Sequence, residues 1–499
     1  MGGQMMRQKV VKNTNFSRVA RPWVLMLFAF LCAIGVHVAN RYYLQIDNPT
    51  SLREGISVIT SDDPSYLRPG LNFLESGEWK DSGKGQGAFV RRSPGYGMLY
   101  TFFVFIFGEK SGLGALVLFQ LVLWSFAVGV IPDLARSLGL NRKLAGLSGF
   151  FIAAMPMFYG FLSYTLTEAL TPALVIFFYT LFFRGVRGSE KSLWLSGIVL
   201  GFAILIRPAL LLLILSYLPM VGILRQRLVP ILLLSIVPMI LWQVRVYRFT
   251  ERVDLHPIYH SDAPDLYRPL HSAVWDFHKM TGQSGQTFHT SMNLLWEAAR
   301  GEVNEDYAKS VVIGSIDRSA SLTLDSLVLR KAYSRYIDVL RQQMPYFDGN
   351  RAIDRELQGE AELIVTFDSL HREYTRGNFV RAWIIAPIQV AGDIILHSNL
   401  SPYLFQKAWR GNLFIEGLRW LSLFVHVFIF AMTFLFFSRK QTGETWAVRL
   451  PFLLFFLYLV FIQRGIEERY MLPFLVPMFL VGLQLIGYSG LSERLRREK

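Results

Sequence analysis

Ser61-Asp62-Asp63-Pro64-Ser65-Tyr66 and Arg91-Arg92-Ser93-Pro94-Gly95-Tyr96 lie in one polar stretch, Tyr42 to Gly97, on whose placement the reading of the whole chain depends. An apolar run, Pro22 to Asn40, precedes this stretch, and most of the remaining chain consists of further apolar runs parted by short basic loops. The adjacent carboxylates have two readings. Asp ahead of a helical stretch offers an acceptor to orphan backbone N–H groups and so forms a cap; alternatively, the pair carries chemistry. Asp63-Pro64 predicts a short helix through Leu71 and Leu74, because proline is tolerated in a first turn, where its missing donor is not needed. Gly77 ends that helix.

The 499 residues are 52% hydrophobic and include 40 Phe, which is more apolar sequence in long runs than one soluble core requires. The expected class is an all-α polytopic membrane protein. A net charge of +14 would suit nucleic acid if basic and aromatic residues shared one exposed surface. Here the basic residues cluster at the ends of apolar runs, as in cytoplasmic loops, and no nucleic-acid partner is expected. A lone cysteine, Cys32, excludes an internal disulfide.

Arg7, Lys9, Lys12, Arg18 and Arg21 place the N-terminus on the cytoplasmic side, and Pro22 to Asn40 runs outward, long enough to cross the hydrocarbon. The polar stretch then lies outside, and Met98 to Phe107 reads as an interfacial helix. Further spans are expected at 112–131, 144–159, 163–183, 193–207, 209–224 and 228–246. Arg136, Arg142 and Lys143, then Arg184, Arg187 and Lys191, then Arg225 and Arg227 recur at every second loop and mark the inner side. Residues 247–414 form an extracytoplasmic region with helical spacing at 287–310 and 322–340 and an amphipathic or re-entrant segment at 380–398. Spans at 418–437, 450–461 and 471–486 complete a count of about ten (8–12), with both termini inside. The organisation is a first membrane module at 1–246 with its first outer loop at 42–111, the outer region, and a second module with a cytoplasmic tail at 415–499.

Four polar features then gather on the outer face: Asp62 and Asp63, Arg91 and Arg92, the long outer region, and Gln463-Arg464-Gly465-Ile466-Glu467-Glu468-Arg469-Tyr470. Arginines at the mouth of an apolar bundle suit a phosphate whose lipid tail stays in the bilayer, because guanidinium donates in a fork to phosphate oxygens. Arg91, Arg92, Arg207, Arg464 and Arg469 are the candidates. Arg207, before Pro208, also reads as a snorkelling residue at a helix break. The carboxylates suit a general base, or a ligand for a divalent metal that assists departure of a phosphate. Glu168 sits deep enough in apolar sequence to need a partner or a function. Tyr66, Tyr96 and Glu468 are further candidates for substrate contact or support. The histidines His256, His260, His271, His278 and His289 lack tight metal-ligand spacing.

In Asp62-Asp63 with Tyr66, Arg91-Arg92-Ser93-Pro94-Gly95-Tyr96, Leu166-Thr167-Glu168-Ala169, Gly201 to Arg207-Pro208 and Glu468-Arg469-Tyr470-Met471-Leu472-Pro473, the chain resembles the polytopic GT-C glycosyltransferases that use polyprenyl-phosphate sugars. That group contains the protein mannosyltransferases and the aminoarabinose transferase of lipid A. The resemblance covers 22–246 and about 418–488. It implies a GT-C-like bundle in a bacterial inner membrane and inverting transfer of a sugar from a polyprenyl-phosphate donor to an extracytoplasmic glycan, lipid or protein acceptor. Members carry an acidic residue in this loop, often Asp-Glu; by that match Asp62 stands in the place of the base and Asp63 departs from the usual Glu. Arg91 or Arg92 corresponds to a basic residue facing the donor phosphate. Several members need neither nucleotide nor metal, so the resemblance fixes no cofactor and leaves a divalent metal open. The competing classes are a lipid or solute transporter or flippase, which predicts charges in the middle of several spans, and a noncatalytic envelope assembly factor.

Overall fold

The structure, a computed structural model, describes residues 21–47, 49–52, 57–58, 60, 62–81, 89–90, 92–250, 269–282, 285–316, 324–348, 357–396, 411–435, 442–464 and 468–497. Arg91, His256, His260 and the basic residues ahead of Arg21 lie outside them, as does the side chain of Glu468. The described residues are mostly helical and hold no strand; the only ladder contacts among them are isolated bridges from Val58 to Leu52 and Tyr164.

The first module comprises α1 (Pro22–Asp47), α2 (Asp63–Ser76), α3 (Gly95–Ser137), α4 (Arg142–Ala154), α5 (Thr171–Val186), α6 (Glu190–Ile206), a 3-10 segment (Pro208–Met220), the short α7 (Val221–Leu224) and α8 (Leu228–Thr250). The region that the charge pattern predicts on the outer side holds α9 (Pro269–Met280), α10 (Gly285–Ala299), α11 (Glu305–Ser315), α12 (Ser326–Asp348), α13 (Glu360–Gly377), a π-turn (Arg381–Ile385) and α14 (Ala386–Leu396). The second module is α15 (Leu413–Leu435), α16 (Gly443–Tyr458), which continues as a π-turn to Gln463, and α17 (Leu472–Arg497).

Six of these helical stretches are long and apolar enough to cross a membrane, and the chain is a multi-pass membrane protein. Two of the six double back. In a straight helix Phe103 and Phe119 would stand about 24 Å apart, yet their ring centroids are 5.4 Å apart. The reversal is at Gly108, whose φ of 76° is open to glycine at little cost. The arm at 95–107 is therefore separate from the span after it, as the reading of Met98 to Phe107 requires. Likewise Tyr217 and Ser235 would be about 27 Å apart along one helix, but their hydroxyls meet at 3.1 Å across the turn at Arg225. Each of the ten stretches read as spans contains a helical arm.

One stretch differs from the expectation. The sequence predicts two helices, 144–159 and 163–183, around a tight outer turn. Instead α4 stops at Ala154, α5 begins at Thr171, and the residues between are buried and largely irregular. Met155, ahead of Pro156, is held extended at φ −96° and ψ 104°, as the proline ring demands of its predecessor. Buried irregular backbone survives only where protein supplies its hydrogen-bond partners. Here Val58 reaches in, its N–H donating to the Ser163 carbonyl at 2.9 Å, and Gln120 Nε2 donates to the Leu162 carbonyl at 2.8 Å.

The outer region has its own apolar core, built on Phe277, Leu295, Tyr333, Ile337, Phe367 and Tyr374. The expected helix at 287–310 is split in two by Gly301, at φ 78°. His278 Nε2 meets the Tyr333 hydroxyl at 2.6 Å inside this core, so this histidine is a packed structural residue.

Candidate active site

The site is assembled from the ends of five elements at one end of the bundle. Asp62 stands at the N-cap position of α2, but its side chain makes no cap bond. The Ser65 hydroxyl donates to the Asp62 carbonyl oxygen instead, at 2.6 Å. Freed from capping, the Asp62 carboxylate takes two arginines: Arg92 Nη2 lies 2.7 Å from Oδ1 and Arg469 Nη2 lies 3.3 Å from Oδ2. Asp63 turns away into the protein, 1% exposed, and accepts from the Thr60 hydroxyl at 3.0 Å. The cap reading thus fails for the Asp62 side chain, and one helical step is enough to send the two acids to different surroundings.

Arg469 also reaches Glu168, its Nε 3.5 Å from Oε1, and Arg207 Nη1 lies 2.8 Å from the same oxygen. Five groups therefore alternate in sign: Arg92, Asp62, Arg469, Glu168, Arg207. Three guanidiniums against two carboxylates leave one positive charge in excess. The pair at the inner end is buried, with side chains 9% and 5% exposed for Arg207 and Glu168, whereas Asp62 keeps 25%. Burial alone would raise the Glu168 carboxyl, but Arg207 and Arg469 outweigh it and hold the group below the usual glutamate range. Glu168 lies in the short turn before α5, outside the helical spans.

Aromatic rings floor the ladder. The Arg92 guanidinium lies 5.0 Å from the Tyr66 ring, and Tyr66 packs on Tyr96 at 5.5 Å. Arg207 lies over Tyr470 at 5.2 Å. The Tyr96 hydroxyl donates to Gln120 Oε1 at 2.8 Å, and Gln120 fixes the buried stretch leading to Glu168. Burial raises the Tyr66 phenol, so it stays a neutral donor. Gly95 lets the start of α3 touch the end of α6: a Cβ there would sit 2.6 Å from the Ile206 nitrogen. Ser93 Oγ donates to the Leu205 carbonyl at the same contact, which brings Arg92 and Arg207 to one place.

Arg464 is not part of this ladder. At φ 53° its backbone is left-handed, and its buried side chain donates to the Phe461 carbonyl at 3.2 Å and the Lys279 carbonyl at 3.5 Å, with Trp383 stacked over it at 5.2 Å. Glu468 opens the turn Glu468–Met471. Sequence reasoning passed over Ser65, Gln120 and Tyr470. Ser65 and Tyr470 stand inside the quoted motifs; Gln120, a lone amide in an apolar span, was the available signal for the third.

Beside the ladder runs an apolar groove of about 520 Å³, lined by Phe73, Trp79, Met98, Phe102, Trp242 and Arg245 among others. Trp79 joins it to the ladder: its ring and the Tyr66 carbonyl both press on the Gly97 position, 3.0 and 2.8 Å from where a Cβ would stand. Among the described residues no group of three or more His, Cys, Asp or Glu is arranged to hold a metal ion.

The opposite end of the bundle carries its own ion pairs: Asp133 with Arg136 and Arg184, and Arg227 with Glu190 at 3.8 Å. These are the loops that charge parity set on the inner side.

No protein-family model matches the sequence, and no curated protein matches it. Two solved structures of the Archaeoglobus fulgidus oligosaccharyltransferase are similar in arrangement, each at 12% identity over 96% of this chain and 51% of that one. One is tethered through a disulfide to an acceptor peptide containing the NVT sequon, with a TM-score of 0.41; the other is the apo form, at 0.47. The chain spans about half the length of that protein, and at this identity and score the likeness assigns no activity to it.

Proposed function

We propose that the protein is a GT-C-type membrane glycosyltransferase that moves a sugar, with inversion, from a polyprenyl-phosphate donor to an acceptor on the extracytoplasmic side of a bacterial inner membrane. The observation that carries this reading is the ladder Arg92–Asp62–Arg469–Glu168–Arg207, cationic in sum, beside an apolar groove. Excess guanidinium donors suit a phosphate, and the groove suits the lipid tail attached to it.

Asp62 is the base in this reading, since its carboxylate is in the ladder and partly open while Asp63 is enclosed. Without donor, the Asp62 carboxylate is paired with Arg92 and Arg469. The donor phosphate competes for the same guanidinium N–H groups, and as they turn to it the Asp62 oxygens are left open to the acceptor. Asp62 then takes a proton from the acceptor hydroxyl or amine, whose electron pair forms the new bond to the anomeric carbon from the face opposite the phosphate. The anomeric C–O bond breaks, its electron pair passes to the polyprenyl phosphate, and the arginines receive the developing charge. Glu168 and Arg207 form the buried end that fixes Arg469. Asp62 and Glu168 each pair with arginines and the five ladder groups sum to a positive charge, so this reading routes no step through a metal ion.

The test is donor cleavage by purified protein in liposomes supplied with polyprenyl-phosphate sugars. Donor-dependent transfer that is lost in Arg92→Ala supports the reading; no binding of any polyprenyl phosphate by folded protein contradicts it.

A further inference from the structure

Beyond the ladder, the chain turns sharply between α13 and α14. The two arms meet at 95° and differ in what they expose. Along α13 the exposed residues include Glu362, Asp368, Arg372, Glu373 and Arg376, while Leu363, Phe367, Leu370 and Tyr374 face the core of the outer region. From 379 to 388 every exposed residue is large and apolar: Phe379, Val380, Trp383, Ile384, Ile385 and Ile388, with Phe379 at 61% and Ile388 at 64%. A contiguous face of this kind is costly in water.

The other side of the arm is already taken. Ala382 belongs to the outer-region core, whereas Val390 and Ile394 belong to the core of the membrane bundle. His426 Nδ1 of α15 donates to the Ile395 carbonyl at 2.9 Å. Next to this contact α15 exposes Trp420, Leu421 and Phe424, so the apolar face continues the surface that the spans present to lipid. Residues 381–396 are about 24 Å long as helix, short of a hydrocarbon core of about 30 Å, and exposed Asp393 lies toward their far end.

We infer that Phe379–Ile388 is seated in the hydrocarbon of the leaflet on the ladder's side of the membrane, as a half-inserted element that anchors the outer helical region to the bilayer. Lipid chains, and not a protein partner, cover this face. Trp383 in turn stacks on Arg464, five positions ahead of Arg469, so the anchor also sets the position of the outer region beside the site.

The test uses spin labels at single cysteines, Ile384→Cys, Ile388→Cys and, on the polar arm, Val365→Cys, each in Cys32→Ser protein reconstituted into phosphatidylcholine–phosphatidylglycerol vesicles without donor. Collision with oxygen and with a water-soluble nickel chelate is read by power saturation. The expected result is an oxygen-to-nickel accessibility ratio several-fold higher at 384 and 388 than at 365. Equal ratios at all three positions place the face in water, and protection from both reagents at 384 and 388 places it under protein; either overturns the inference. The readout needs no catalysis, so it stands or falls apart from the proposed transfer reaction.

Discussion

Arg469 Nη2 stands 3.3 Å from Asp62 Oδ2, although 407 positions separate the two residues in the chain. The contact brings the start of the last span onto the first loop and ties both ends of the sequence to one site. With Arg469 Nε turned to Glu168, a single guanidinium serves two carboxylates. Lysine offers a point charge in place of that fork. Arg469→Lys is expected to lower kcat/KM for the donor about 10- to 100-fold, the range for losing a charged hydrogen bond, because the same guanidinium binds the phosphate and receives its developing charge. Steady-state kinetics over a donor series checks it.

The Glu168–Arg207 pair is enclosed, so removing one charge strands the other. Arg207→Met is expected to cost about 3–5 kcal/mol of stability, measured by chemical unfolding in detergent micelles. A double variant, Glu168→Gln with Arg207→Met, should recover part of that loss.

The same pair sets an acid limit. Glu168 titrates below its ordinary value of 4.5 in the folded protein. A carboxyl with a depressed folded value contributes stability that is present above its unfolded value and lost as pH falls through the folded one. Thermal unfolding should therefore show no pH dependence from Glu168 near neutrality and fall away below 4.5, with a shallower fall in Glu168→Gln.

Gly95 tests the scaffold without touching a charged group. Its Cβ would meet backbone of Leu205 and Ile206, which cannot move aside as a side-chain tip can. Gly95→Ala is expected to destabilise the protein by about 1–3 kcal/mol and to lower transfer by parting Arg92 from Arg207. Disulfide trapping between cysteines at Ser93 and Leu205 would report the widened contact as slower crosslinking.

Much of the fold and of the site was legible in the sequence, for physical reasons that also explain the rest. Basic loops at alternate span ends set which termini of helices meet, and so group Asp62, Arg92, Glu168, Arg207 and Arg469 on one end. Which arginine touches which acid depends on backbone turns that hydropathy does not encode. Arg464 and Arg469 look equivalent in sequence, yet a left-handed turn sends Arg464 to Trp383 and Lys279. The buried stretch between α4 and α5 read as helix because it is apolar, and apolar sequence is the same whether lipid or protein covers it. Gln120 gave no motif at all, because its role lies in carbonyls that only the fold brings near.

The central claim rests on Asp62, and the most direct measurement is sugar transfer from a polyprenyl-phosphate donor by Asp62→Asn in liposomes, beside wild-type protein and Asp63→Asn. The amide keeps the shape and loses the base, so a fall of about 10²- to 10⁴-fold in turnover is expected for Asp62→Asn, with folding and donor binding retained. Asp62→Asn protein that transfers sugar at the wild-type rate would contradict the account.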